Sequence, residues 1–518
     1  MAKSIAVSLC NESSLPHYCP NIPNKETHED YYKDVYLKLS YNQSLFRINL
    51  HRSTQKAIRL EQWSRVDLCL VNEMGLPLID DMADNVKVQL KCKVLSKSQN
   101  TFIETPLYEI EIRPLQDDAW SSNEQKGQYL IGFNNSSYGG LEYRIQYCQN
   151  ADISLEACQY HEIYLYIQHA PLDSSSHSPN VLPLVIGPIV VNKPLGDNKG
   201  ICKSSVPMWS AIVAQKAYHV AVPSKSVDNG FWDQKQYTSR SYRAYPLISL
   251  PKSRYQHYCL MEEKWNLGMP GKIWDGALVA TDIFAKRLVR DPLFLDNCHI
   301  LDLSAGLGCF GLTLAVVYDH LKQTHPTDQP VKPPLITLTD VQEALPLIRH
   351  NYLLNMLSQQ VKERRYPTNV PYGNINDQPR VSIQPLRWGF HCDAQKIMSA
   401  KPIDYLVASD VLYDSSKSSA LAQTLIHLST PGITTVYLVY KKRALNRKEE
   451  EAFFKDCKPC FDISIMPASC NDLDSNLYRN ETSLDGATWL AQDVDVSNTK
   501  STNMVKSTNV VIYQLKRK

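Results

Sequence analysis

The run ILDLSAGLGCFGL (300–312) holds Gly306-x-Gly308-x-x-Gly311, the spacing of a backbone loop that admits a nucleotide. Glycines let the main chain approach a ligand, and the free N–H groups of the following helix point at it. That spacing alone does not separate one adenosine cofactor from another. Nor does Asp340, which ends LITLTD (335–340) and is placed to accept two ribose hydroxyls in either case. Asp302, just ahead of the loop, does discriminate. A carboxylate there neutralises a cationic methionine ammonium or braces the loop, and it repels a pyrophosphate. Asp410 and Tyr413 in ASDVLY (408–413) end a later apolar strand, the edge at which open α/β sheets bind ligands. Trp274 in GKIWDGALVATDIF (271–284) starts a helix, and Trp388 in LRWG (386–389) follows a strand.

Each of these residues also has a structural use. The two tryptophans suit a core, and Asp340 and Asp410 suit helix N-caps. Asn351 and Asn355 in RHNYLLN (349–355) lie four apart on one helix face, so a hydrogen-bonding role in the framework is their expected one. The case for a site rests on the joint pattern.

The elements that must position these residues follow from periodicity. From about residue 31 to 192, alternating runs such as VYLKLSYN (35–42), LFRINLHRS (45–53), VDLCLVNE (66–73), VKVQLKCKVL (86–95), YEIEIRPL (108–115), YRIQYCQ (143–149) and IYLYIQH (163–169) predict half-buried strands. LPLVIGPIVV (182–191) reads as a last, more buried strand. An antiparallel sandwich, immunoglobulin-like in general shape, is expected over 31–195 behind a short tail (1–30). Residues 196–250 read as a connector with a helix near Met208–Ala221.

After residue 250 strands and helices alternate, predicting a doubly wound α/β domain over 251–518. The expected helices are Trp274–Val289, Phe310–Leu321, Val341–Leu357, Ser416–Leu428 and Asn446–Asp456. The expected strands are Cys298–Leu303, Leu335–Asp340, Val381–Leu386, Ile403–Ser409, Thr434–Tyr440, Phe461–Met466 and Asn509–Leu515. KQTHPTDQPVKPP (322–334) and the run 469–507 read as surface insertions. The first of them lengthens the loop-to-acid spacing beyond the usual ~20 residues.

Composition bounds the function. The chain has 518 residues, 43% of them apolar and 21% charged, with a net charge of +2. Such a length predicts two domains, and such a charge balance leaves no basic stripe for nucleic acid. No uncharged apolar run approaches the ~20 residues of a membrane span, and the opening MAKSIAVSLCNESS lacks the apolar stretch of an export signal. Fourteen cysteines are then expected as reduced thiols in the cytoplasm or nucleus. Cys457-Lys-Pro-Cys460 has no second pair, so no metal site is expected.

Taken in order, W-D-G-A (274–277), I-L-D-L-S-A-G-L-G (300–308), T-L-T-D (337–340), R-W-G (387–389) and A-S-D-V-L-Y (408–413) resemble methyltransferase family 16. Asn351, Asn355 and the YKKR (440–443) followed by EEEAFF (449–454) extend the likeness, which covers about half of the chain. The resemblance implies a seven-strand, Rossmann-like enzyme that uses S-adenosylmethionine, without metal, to methylate lysine side chains of a non-histone protein. It implies that Trp274 lies beside the cofactor, that Ser304, Ala305 and Gly306 wrap its methionine end, and that Asp340 holds the ribose. Trp388 and Ser409 would line the adenine pocket, with Asp410 and Tyr413 on the substrate side. There Asp410 would orient the lysine amine.

Ser304 departs from the family's glycine; the reading taken is that serine is tolerated because φ is not positive there. Asp-Val-Leu-Tyr lacks the prolines of enzymes that methylate base amines. A small-molecule methyltransferase and an inactive cofactor-binding scaffold stay open as alternatives. A strand edge of the N-terminal half is able to recruit a protein partner.

Overall fold

The computed structural model describes residues 45–77, 86–98, 100–115, 130–148, 162–170, 180–192, 237–238, 240–247, 256–324, 332–356, 380–399, 401–443, 445–466, 508 and 510–518. The strand expected at 35–42, the helix near 208–221 and the insertion at 469–507 lie outside them.

The alternating runs of the first half form strands, since period two sends successive side chains to opposite faces. These are β1 (Phe46–Leu50), β2 (Thr54–Gln55), β3 (Ala57–Arg59), β4 (Ser64–Val71), β5 (Lys87–Ser98) and β6 (Thr101–Glu104). There follow β7 (Tyr108–Arg113), β8 (Gly132–Asn134), β9 (Tyr138–Tyr147), β10 (Glu162–Ala170), β11 (Val181–Leu182) and β12 (Leu184–Asn192). In β10, Ile163, Leu165 and Ile167 enter one apolar core, and Tyr164 and Tyr166 enter another. This strand is therefore covered on both faces, where alternation with tyrosine suggested one.

The expected connector at 196–250 is not all connector. It carries β13 (Tyr237–Thr238) and β14 (Ser241–Pro246), and β14 forms an antiparallel hairpin with β15 (His257–Glu263). The hairpin joins the N-terminal sheet: β14 pairs with β12 and β15 with β6. Because β10 pairs with both β12 and β5, and β5 with β6, the path closes into an antiparallel ring. The expected boundary at 250/251 thus runs through a hairpin. The reason lies in β15 itself. Tyr258 and Leu260 fill the interior of the ring with Phe102, Tyr164, Tyr166 and Tyr242, while Cys259 and Met261 pack into the core of the second half.

The second half follows the expected parse. Helices are α1 (Asp275–Arg290), α2 (Cys309–Thr324), α3 (Leu345–Met356), α4 (His391–Met398), α5 (Ser418–His427) and α6 (Arg447–Cys457). Strands are β16 (His299–Leu303), β17 (Leu335–Asp340), β18 (Arg380–Pro385), β19 (Tyr405–Ser409), β20 (Thr435–Lys441), β21 (Phe461–Met466) and β22 (Val510–Arg517). α4 was not expected. Their sheet order is β18-β17-β16-β19-β20-β22-β21, with only the pairs to β22 antiparallel. Strand order reverses between β16 and β19, so the loops following them flank the crevice where such sheets bind ligands.

One clamp joins the halves. Past Tyr258, one edge of β15 has no strand beside it among the described residues, and two amides of α3 stand in. Asn355 accepts from Leu260 N (3.0 Å) and donates to Leu260 O (2.7 Å). Asn351 accepts from Glu262 N (2.8 Å) and donates to Glu262 O (3.2 Å) and Leu307 O (2.9 Å). Alternate residues of a strand turn the same edge outward, and a four-residue helical spacing matches that step. The expected framework role of these asparagines is what the geometry shows.

Candidate active site

The glycine loop leaves β16 and enters α2. Gly306 has φ +58°, in the left-handed region that favours glycine, and a Cβ built on it would lie in ordinary contact with Pro270 O at 3.6 Å. Gly311 serves packing: a Cβ there would come within 3.0 Å of the Leu338 side chain and 3.2 Å of Asp302 Oδ2. Asp302 is buried, and its Oδ2 accepts from Gly311 N at 3.0 Å. Its Oδ1 is buried with no partner. Burial pushes the carboxyl up to about 7. Asp340, at the end of β17, accepts from Gly306 N (2.8 Å) and Val341 N (2.7 Å), tying the second strand to the loop. Burial pushes it up to about 6. Each of its oxygens keeps a lone pair for a hydroxyl donor.

Ser304 stands at φ +59°, inside the left-handed region. This corrects the expectation that the position avoids positive φ. An L side chain there costs about 1–2 kcal/mol relative to glycine. The hydroxyl has a use in return, since it accepts a 3.0 Å hydrogen bond from Trp388 Nε1. Two residues 84 apart in sequence, assigned to opposite ends of the cofactor, are thereby joined. Tyr413 lies 6.4 Å from Trp388, centroid to centroid, and is 36% exposed. Ser409 and Ala305 are half-buried at the ends of the strands on either side of the crevice.

Asp410 requires a second correction. It is buried, and its carboxylate is occupied by the framework rather than turned toward a substrate. Oδ2 accepts from Gly276 N, and Oδ1 accepts from Lys441 N (3.0 Å) and Arg443 Nη1 (2.6 Å). The glycine of W-D-G-A is explained by this approach, because a Cβ at Gly276 would lie 2.5 Å from Val439 O and 2.6 Å from Asp410 Oδ2.

Arg443 opens a buried ionic network that sequence reasoning missed. It pairs with Glu73, which follows β4, at 2.6 and 2.7 Å. Lys441 reaches Glu73 (3.4 Å) and Asp275 (3.1 Å), and Asp275 also takes Arg47 (2.6 Å). Arg243 pairs with Glu263 at 2.7 Å, and Glu263 accepts from Ile273 N at 3.0 Å. Burial raises the Glu73 carboxyl, but Arg443 and Lys441 together hold it well below the usual range. Burial pushes Asp275 up to about 6. The available signal was YKKR, three cations running straight out of an apolar strand.

Trp274 starts α1, donating from Nε1 to Met269 O at 2.8 Å. Its ring carries two cations, the Lys272 ammonium at 4.4 Å and the Arg443 guanidinium at 5.2 Å from the centroid. The arrangement fits a zwitterionic adenosine ligand on two structural grounds. Gly306 gives the loop a positive-φ backbone without a side chain, and a buried carboxylate oxygen of Asp302 beside the loop lacks a donor.

Comparison with known proteins agrees. Residues 254–459 match the family model described as lysine methyltransferase. A protein N-lysine methyltransferase METTL21A of Xenopus tropicalis is 24% identical over 34% of this chain and 62% of its own length. This chain therefore spans about three fifths of that relative. The protein of the same name from Danio rerio is 25% identical over 43% of this chain and 83% of its own length. EEF1A lysine methyltransferase 3 of Mus musculus is 25% identical over 41% and 72%. Residues 254–459 of this chain are thus similar in sequence to lysine methyltransferases.

Proposed function

We propose that the chain is an S-adenosylmethionine-dependent methyltransferase whose acceptor is a lysine side chain of a non-histone protein. The observation that carries this reading is the unpartnered Oδ1 of Asp302 beside the glycine loop, within a segment of lysine methyltransferase sequence. Relatives named as protein N-lysine methyltransferases favour a protein amine over a small molecule.

The cofactor, when bound, supplies a methyl group already activated on a sulfonium. Asp302 neutralises the ammonium of its methionine end, around which Ser304, Ala305 and Gly306 fold. Asp340 accepts from the ribose hydroxyls. Trp388 and Ser409 line the adenine side, and Trp274 flanks the pocket from the start of α1. What remains for the protein is to align the amine, exclude water and let the amine lose its proton. Alignment alone contributes roughly 7–11 kcal/mol in favourable cases. A lysine ordinarily titrates near ~10.4, and an apolar wall favours its neutral form. Tyr413 supplies such a wall and attracts the ammonium on entry. Asp410 acts one step back, as a positioning residue that fixes the end of β19 and the turn carrying Tyr413.

We further infer that the N-terminal strands form a sandwich, immunoglobulin-like in general shape, able to recruit a protein partner, and that the protein works in the cytoplasm or nucleus. The single core shared by β1, β4, β5, β9, β10 and β12 supports the sandwich.

Incubation with methyl-labelled S-adenosylmethionine and cell lysate tests the main reading. A labelled band whose peptides carry methyllysine is the expected result. Cofactor binding with no transferred label, or label only in small molecules, rejects it.

A further inference from the structure

Lys272 has no place in the ionic network around it. The carboxylates of Glu73, Glu263, Asp275 and Asp410 are each ion-paired, and their partners are Arg47, Arg243, Lys441 and Arg443. Lys272 is a fifth cation, 9% exposed, with no ion-pair or hydrogen-bond partner among the described residues. Its ammonium lies over two rings, 4.4 Å from the Trp274 centroid and 5.0 Å from that of Trp265. The network is short of acceptors elsewhere too, for Nε and Nη1 of the fully buried Arg47 have none. Its ammonium stands between aromatic walls and is acted on by Arg47 and Arg443 as well as by Glu263 and Glu73, none of them paired with it, which leaves it able to take a further anion. Burial pulls Lys272 down to about 8.

Its position says which anion. Lys272 directly follows the turn Met269–Gly271, and Pro270 O of that turn is the nearest atom, at 3.6 Å, to a Cβ built on Gly306. Two residues later Trp274 hydrogen-bonds back to Met269. Lys272 therefore belongs to a segment in contact with the glycine loop, and at the same loop Asp302 Oδ1 lacks a donor. We propose that Lys272 is a cofactor-binding residue that receives the α-carboxylate of the methionine moiety. The site then presents one anion and one cation to a zwitterion. This rests on the cofactor reading given above, and it assigns a residue that the family pattern quoted for this chain does not include.

The test is titration calorimetry on the full-length protein with two ligands, S-adenosylhomocysteine and its decarboxylated analogue. Lys272→Met is expected to weaken S-adenosylhomocysteine by about 10- to 100-fold, the effect of one charge-assisted bond. The analogue, which has no carboxylate to lose, should bind wild type and variant alike. Lys272→Arg, which keeps the charge, should retain most of the affinity. Equal losses for both ligands, or unchanged affinity for S-adenosylhomocysteine, overturn the assignment. If the wild-type protein bound neither ligand, the cofactor reading itself would fall with it.

Discussion

Arg443 grips Glu73 with Nε and Nη2, at 2.6 and 2.7 Å, across 370 residues of sequence. Its remaining nitrogen, Nη1, holds Asp410 at the end of β19. One guanidinium thus ties a loop of the N-terminal half to the edge of the sheet where substrate is proposed to arrive. Glu73→Ala leaves this cation buried and half paired. Removing one partner of a buried pair typically costs about 3–5 kcal/mol. Urea denaturation of the variant should show a loss of that order, and a change under about 1 kcal/mol, in the range of a surface pair, would reject it.

Asp302 and Asp340 give the unliganded protein a definite pH dependence. Both carboxyls are pushed up by burial, to about 7 and about 6. The folded state therefore holds protons that the unfolded chain releases. The stability they contribute is complete below the ordinary carboxylate range and is lost as pH rises through about 6 for Asp340 and about 7 for Asp302. The slope is at most roughly 1.4 kcal/mol per pH unit for each group. Asp302→Asn removes one of these terms. Relative to wild type, the variant should gain stability as pH is raised from about 5 to about 8. A stability difference that stays flat over this window contradicts the assignment.

Ser304 balances strain against a hydrogen bond. Ser304→Gly relieves the positive φ, by about 1–2 kcal/mol, and gives up the acceptor for Trp388 Nε1, about 1 kcal/mol. Thermal unfolding should therefore change little, and S-adenosylhomocysteine should still bind. Ser304→Val keeps the strain, loses the acceptor and adds a branched carbon, so it should destabilise clearly. If glycine proved as damaging as valine, the hydroxyl would matter and the backbone would not.

The amide clamp on β15 is testable at single residues. Asn355→Ala leaves Leu260 N and O buried without partners, at about 1–3 kcal/mol for each unsatisfied group. Hydrogen exchange should quicken at the amide of Leu260 more than at residues of β10. Uniform acceleration across both strands would mean global weakening and no local clamp.

Periodicity made much of this fold legible before any coordinates. The strands and helices of the second half fall within a few residues of their expected bounds, because strand–loop–helix alternation leaves little freedom. The placement of Asp302, Gly306 and Asp340 around one loop was legible for the same reason, since it is local to strand ends. Asp410 was misread because its partners, Gly276, Lys441 and Arg443, come from three separate segments. Glu73 and Lys272 gave no local sign at all; a charge becomes notable only once burial is known. The hairpin of β14 and β15 escaped because polar, lysine-rich sequence surrounds it.

β15 acts as a party wall. Residues 258 and 260 furnish one room and residues 259 and 261 the other, while its pairing partners β14 and β6 both precede the point where family likeness begins. A truncated protein starting at residue 254 would keep the wall and lose everything built against one side of it. Tyr258 and Leu260 would meet water, and a bare strand would be left to seek partners in other chains. The second half is not a module that can be excised from this polypeptide; its front half is masonry that it cannot shed.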